Sequence, residues 1–151
     1  MIEVRETSAA ETVALRLAVL RPDAPAGTAA PGDDDPEAVH LGAYDGERLV
    51  GAAVLLPRPS PAAPDEPAWQ LRGMAVAPER QTGGVGTAVI AAAVARTAGQ
   101  VLWCKARSAV RGFYERCGFV AFGDEFVVPE IGIVHLVMIR NPDGTPPRQE
   151  W

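Results

Sequence analysis

The segment Gln81-Thr82-Gly83-Gly84-Val85-Gly86-Thr87 has the residue types and spacing best suited to holding a phosphate. It follows an apolar run ending at Val76 and precedes an alanine-rich run beginning near Gly84. A strand that turns into a helix leaves that helix's first backbone N–H groups without intrahelical partners. Those donors, with the positive end of the helix dipole, favour an anion. Glycine at positions 84 and 86 lets a diphosphate approach main chain that a Cβ would screen. The plainer alternative is a tight turn before a helix. Two other nucleotide motifs fail on inspection. A Walker loop needs Gly-Lys-Ser/Thr, and this turn contains no lysine. A dinucleotide fingerprint needs a third glycine where Val89 stands.

The elements that must position this turn can be read from periodicity. Ile2 and Val4 alternate with polar residues, as in a short strand. Ser8-x-x-Glu11 reads as a capping box, and Val13, Leu17 and Leu20 give the following helix one apolar face. Residues 21–37 are rich in Pro, Gly, Ala and Asp and read as a loop. Two strands, 41–44 and 49–56, flank Asp45-Gly46, a hairpin signal. A second proline-rich loop covers 57–67, and a strand covers 69–76 with Gly73 inside it, marking a bulge or a close contact. A helix over 84–98 ends near Gly99, and a short buried strand covers 101–104. Ser108 is the expected cap of a helix through Cys117, with Val110, Phe113, Tyr114 and Cys117 on one face and Gly118 ending it. Two strands, 119–128 and 131–139, close the chain. The order is β-α-β-β-β-α-β-α-β-β. Strand–helix–strand connection implies parallel pairing around the glycine turn, and hairpins imply antiparallel pairing elsewhere. The fold class is therefore mixed α/β, with helices on both faces of the sheet.

Composition narrows the function. At 151 residues, 48% apolar and 22% charged, the chain suits one domain. A net charge of −5 argues against a nucleic-acid partner. No apolar run approaches the ~20 residues of a membrane span, and the first residues lack a signal peptide's pattern, so a cytoplasmic location is expected. Cys104 and Cys117 have no metal-type spacing and read as reduced core residues, so no metal site is expected. The run Asp33-Asp34-Asp35 reads as a solvated charge cluster.

With the turn taken together with Phe113-Tyr114-Glu115-Arg116-Cys117-Gly118-Phe119, about 30 residues later, the chain resembles the GNAT superfamily of N-acetyltransferases. Gln81, Gly84 and Gly86 match that family's Gln/Arg-x-x-Gly-x-Gly/Ala turn, and the later helix matches its Phe-Tyr-x-x-x-Gly-Phe signature. The segments 103–109 and 132–138 resemble a small-protein subgroup whose substrates are largely uncharacterised. Many members carry an asparagine before the later helix; here Lys105 or Arg107 occupies that region, and no asparagine role transfers. The likeness covers residues 1–140, an N-acetyltransferase domain, with 141–151 as a flexible tail. It implies a mostly antiparallel sheet with a central splayed parallel pair.

The resemblance implies acetyl-CoA as co-substrate. Its diphosphate would lie on Arg80, Gln81, Thr82, Gly83, Gly84, Val85, Gly86 and Thr87. Its pantetheine would pair with the main chain of Met74, Ala75 and Val76, where one N–H could stabilise the oxyanion. Arg80 abuts the turn and is the cation best placed for a phosphate; Arg72, Arg107 and Arg111 read as surface or rim residues. Tyr114 takes the family tyrosine's place as general acid on the leaving thiolate; a phenol is protonated at neutral pH. The alternative is packing alone. An amine acceptor must also lose a proton. His135 suits that role by its reference pKa, against a sheet histidine that is merely hydrogen-bonded. Glu125 and Glu130 are further candidates that read as solvated, and His40 reads as structural. The function implied is direct transfer of acetyl to a primary amine of a small molecule or peptide in a ternary complex. Alternatives are a CoA-binding module without catalysis and an acetyltransferase acting on a protein. Family habit leaves a homodimer open.

Overall fold

The computed structural model describes residues 1–25, 28 and 33–145. Its elements follow the expected order. They are β1 (Ile2–Thr7), α1 (Ala9–Leu20), β2 (Val39–Asp45), β3 (Arg48–Pro57), β4 (Ala68–Val76), α2 (Val85–Arg96), β5 (Val101–Arg107), α3 (Arg111–Arg116), β6 (Val120–Val128) and β7 (Ile133–Arg140). Among the described residues seven strands form one mixed sheet in the order β1-β2-β3-β4-β5-β7-β6, mostly antiparallel with one parallel pair. Contacts divide the chain into two units, Met1–Leu56 with Leu71–Arg96 and Pro57–Gln70 with Thr97–Trp151. Among the described residues no helix is long and apolar enough to cross a membrane.

In the first unit β2 and β3 form the hairpin expected at Asp45-Gly46. Asp45 pairs with Arg48 across the two intervening residues. β3 is a continuous apolar run, buried from Val50 to Leu56. Such a run suits a strand covered on both faces. α2 buries Val85, Val89, Ile90 and Ala93 and turns small alanines to solvent. It ends at Arg96, two residues before the end expected at 98.

α1 differs from expectation. Ser8 caps it, its Oγ accepting from Glu11 N at 3.2 Å. The Glu11 carboxylate, however, accepts from Tyr44 Oη at 2.9 Å, so only half of the capping box is drawn. The deepest positions are Thr12 and Arg16, while Val13, Leu17 and Leu20 are half-buried. A buried polar residue is tolerated where its hydrogen bonds are made, and Arg16 makes them.

In the second unit Ala68, Trp103 and Ile139 form a core, against which Ala62, Val101, Phe122 and Val137 pack. Trp103 Nε1 donates to Arg58 O at 3.0 Å, so the large ring is buried without stranding its polar atom. β7 pairs antiparallel with both β5 and β6, and the β6 register slips between Phe122 and Phe126. The helix expected from Ser108 to Cys117 is shorter. A 3₁₀ turn, Ser108–Val110, precedes α3, with no side-chain cap. Its tighter winding breaks the 3.6-residue stripe, and Val110, expected on the apolar face, is exposed. Asn141 to Thr145 closes a turn in which Asn141 Nδ2 donates to Thr145 O at 2.7 Å. The rest of the expected tail, 146–151, and residues 26, 27 and 29–32 of the first loop lie outside the described residues.

Candidate active site

Between β4 and α2 the chain first makes a 3₁₀ turn, Pro78–Arg80, which sequence periodicity does not reveal. Proline at its start supplies the fixed φ that such a turn needs. Gly83 N then donates to Arg80 O at 3.1 Å, and Ala88 N makes the first helical bond, to Gly84 O at 3.1 Å. The N–H groups of Gly84, Val85, Gly86 and Thr87 take no carbonyl among the described residues. Gly84 has φ +82°, and a Cβ built on it meets nothing within 4 Å. Residues 81–84 and Thr87 are exposed. The bend is thus open, with four successive donors at the positive end of a 12-residue helix. Among the described residues no side chain comes within 4 Å of a Cβ built on Gly84.

Two side chains shape this bend from within the same unit. Gln81 folds back, its Nε2 donating to Val76 O at 3.1 Å, which ties the turn to the end of β4. Arg80 Nη2 donates to Asp45 Oδ2 at 2.6 Å on the β2–β3 hairpin. Arg80's hydrogen bond and charge hold the Asp45 carboxyl below the usual carboxylate range. The guanidinium expected to meet a phosphate is therefore already paired, and what Arg80 brings to the turn directly is main chain. Arg48 and Glu79 form a neighbouring ion pair. Along β4, Ala75 is buried while Met74 and Val76 are half-buried.

α3 carries the tyrosine. Gly118 N donates to Glu115 O at 3.0 Å and Phe119 N to Tyr114 O at 3.0 Å, and Gly118 has φ +91°. This is a Schellman closure, in which the residue after the glycine packs back on the last turn. The Tyr114 and Phe119 rings meet edge to face at 5.4 Å, and Phe113 meets Tyr114 at 5.1 Å. The motif Phe-Tyr-x-x-x-Gly-Phe is therefore one physical object. The glycine ends the helix, and two phenylalanines hold the phenol. Tyr114 is 6% exposed, and burial pushes its hydroxyl above the ordinary phenol value, so it is protonated. Its Oη has no hydrogen-bond partner among the described residues, yet it is not one of the sealed orphan atoms, which are His40 Nδ1 and Ser108 Oγ.

His135 lies on β7 in register with Arg107 of β5 and Phe126 of β6. Its ring stacks on Phe126 at 6.1 Å. Nδ1 lies 2.8 Å from Ile133 O. A carbonyl oxygen can only accept, so Nδ1 carries a proton, and in the neutral ring the lone pair is on Nε2. Among the described residues no hydrogen bond or ring contact links His135 to Tyr114. Glu125 and Glu130 are exposed. Cys104 is buried, which pushes its thiol up to about 12 and leaves no thiolate nucleophile.

Sequence reasoning missed one cluster. Asp33, read as part of a solvated run, accepts at both carboxylate oxygens from Arg16, at 3.1 and 2.8 Å. His40 is buried close enough to feel both charges. Burial lowers its pKa, Asp33 opposes this and Arg16 adds to it. The available signal was a single charge, Arg16, within the otherwise apolar run 13–20 of α1.

Known proteins share this chain's sequence pattern and fold. The acetyltransferase (GNAT) family model matches residues 9–119. The chain is 31% identical over 145 residues to YitI of Bacillus subtilis (strain 168), an uncharacterised N-acetyltransferase, covering 93% of this chain and 97% of that protein. Among solved structures, Escherichia coli ElaA superposes with a TM-score of 0.72 at 19% identity, over 93% of this chain and all of the other. An aminoglycoside 6'-N-acetyltransferase complexed with coenzyme A gives 0.67 at 15% identity, over 98% of this chain and 99% of the other.

Proposed function

Because the chain belongs to the GNAT acetyltransferase family, we propose that it transfers acetyl directly from acetyl-CoA to a primary amine of a small molecule or peptide. The observation that carries this reading is the open bend whose N–H groups at Gly84, Val85, Gly86 and Thr87 take no carbonyl among the described residues. Backbone donors at a helix start suit a diphosphate, and the residues present fit one. Arg80, Gln81, Thr82 and Gly83 shape the approach, and Thr87 adds a hydroxyl. Coenzyme A supplies the activated acyl group. The main chain of Met74, Ala75 and Val76 holds its arm as an added strand, and an N–H there polarises the thioester carbonyl. Tyr114 gives its proton to the departing sulfur. Its hydroxyl is protonated and has no hydrogen-bond partner among the described residues, which supports that role. His135 Nε2 takes the proton of the acceptor amine, directly or through water.

Release of free thiol from acetyl-CoA, followed over a panel of primary amines and peptides, tests the reading. Amine-dependent release is expected. Binding of CoA without release on any amine or protein acceptor would leave a binding module instead.

A further inference from the structure

Arg16 is 4% exposed, and each of its three guanidinium nitrogens donates a hydrogen bond. Nε donates to Thr12 Oγ1 at 3.1 Å. Nη1 and Nη2 grip the two oxygens of Asp33, and Nη2 also lies 3.5 Å from Ala9 O. Such a fork fixes orientation as well as charge. Taking both ions out of water is costly, and apolar residues of similar volume would dock α1 equally well. The pair therefore calls for a use other than holding the helix.

That use lies under the aliphatic stem. On β4, Gly73 has φ +57°, a left-handed kink inside a strand. A Cβ there would stand 2.9 Å from Arg16 Cδ and 3.7 Å from both Arg16 Nη1 and Val54 Cγ2. Arg16 thus occupies the space a strand side chain would need, and the kink is one that glycine adopts without steric cost. Release the guanidinium from its fork and the stem is free to move, which gives β4 room to relax to regular extended geometry. Kink and turn bound the same stretch of main chain. From Val76 back to Gly73 is three residues, about 10 Å at about 3.3 Å each. An arm that starts at the diphosphate turn and pairs with Val76 and Met74 ends at the kink.

We propose that Arg16, oriented by Asp33 and Thr12, is a positioning residue that locks the β4 kink at Gly73 and thereby fixes the main chain that receives the acetyl end of acetyl-CoA. The inference rests on the proposed cofactor site. It assigns Asp33 a structural task inside the first unit, and it makes α1 part of the acyl-binding apparatus.

Acetyl-CoA labelled with carbon-13 at the acetyl carbonyl tests it, because the two ends of one ligand then report separately. Phosphorus resonances follow the diphosphate, and the carbonyl resonance follows the acyl end. In the wild-type protein both shift on binding. In Arg16→Met and Asp33→Asn the phosphorus shift is retained and most of the carbonyl shift is lost; Arg16→Lys, which keeps charge but not the fork, falls between. A wild-type carbonyl shift in both variants, with phosphorus shifted as before, overturns the proposal. If Arg16→Met loses its near-ultraviolet circular dichroism, Asp33→Asn, which preserves volume, decides alone. A wild-type protein with no phosphorus shift removes the cofactor site itself and the inference with it, a failure distinct from the previous one.

Discussion

Replacing Gly84 by alanine separates backbone strain from ligand binding. Gly84 sits at φ +82° with nothing within 4 Å of a built Cβ, so the added methyl meets no protein atom. Its cost is left-handed strain alone, about 1–2 kcal/mol. Gly99, beyond the other end of α2, has φ +77° and equally open surroundings. Gly84→Ala and Gly99→Ala should therefore lose similar stability without ligand. For a domain of this length 1 kcal/mol corresponds to about 2–4 °C, so each should melt about 2–8 °C below wild type. Acetyl-CoA at about 100 times its Kd adds about 2.7 kcal/mol to wild type, or about 5–11 °C. In Gly84→Ala the methyl stands between the anion and the N–H groups. If it weakens binding about 100-fold, only about 0.4 kcal/mol remains at the same concentration, or about 1–2 °C. Gly99→Ala should keep the full ligand shift. Thermal unfolding followed by circular dichroism, with and without acetyl-CoA, reads all six melting points. An undiminished ligand shift in Gly84→Ala would refute the placement of the diphosphate, whatever the family.

Three further outcomes follow from the same structure. Tyr114→Phe should lower turnover about 100-fold or more while leaving CoA affinity and stability near wild type, because the lost Oη makes no hydrogen bond among the described residues; equal thiol release by the two proteins removes Tyr114 from the mechanism. Burial holds the pKa of His40 below its ordinary 6.5, so between the two values the unfolded chain binds more protons than the folded one. Stability from this group is then complete above about pH 6.5, falls as pH drops through that value, and levels off below the folded pKa. Urea midpoints at pH 7.5 and 5.5 should differ less in His40→Gln than in wild type, and an unchanged difference contradicts the burial argument. Cys104, with its thiol at about 12, should resist disulfide reagents until the protein unfolds, while half-buried Cys117 reacts first. Mass spectrometry after incubation with acetyl-CoA should find no acetyl-cysteine, and finding one would replace direct transfer by a two-step route.

The parts of the site that were legible in the sequence are those written in local backbone chemistry. The turn announces itself because glycine is needed where φ is positive, as at Gly84, and where an anion would approach main chain, and both needs fall within a few residues. The tyrosine helix is legible for a similar reason. Tyr114, Gly118 and Phe119 are three positions of one helix-ending hydrogen-bond pattern, so their spacing is fixed by that pattern. Hairpin and strand order follow from Asp45-Gly46 and from runs of apolar residues in the same local way. Arg16 could not be found so. Its helix carries apolar residues on nearly every side, and nothing within four residues of it says that the deepest stripe is Thr12 and Arg16. The partner that makes this burial tolerable, Asp33, lies 17 residues away in a segment whose composition reads as solvated loop. The residue that makes it useful, Gly73, lies on another strand. Each of the three has an ordinary explanation when read alone. A buried charge is legible only when its counter-charge and the space it fills are both known, and both are long-range facts. The same asymmetry bears on the acceptor. In the proposed site the cofactor would be recognised by main chain, and such a site leaves a local trace. Acceptor recognition, by contrast, would rest on side chains brought together from distant segments, as Arg16 and Asp33, 17 residues apart, are brought together within the fold.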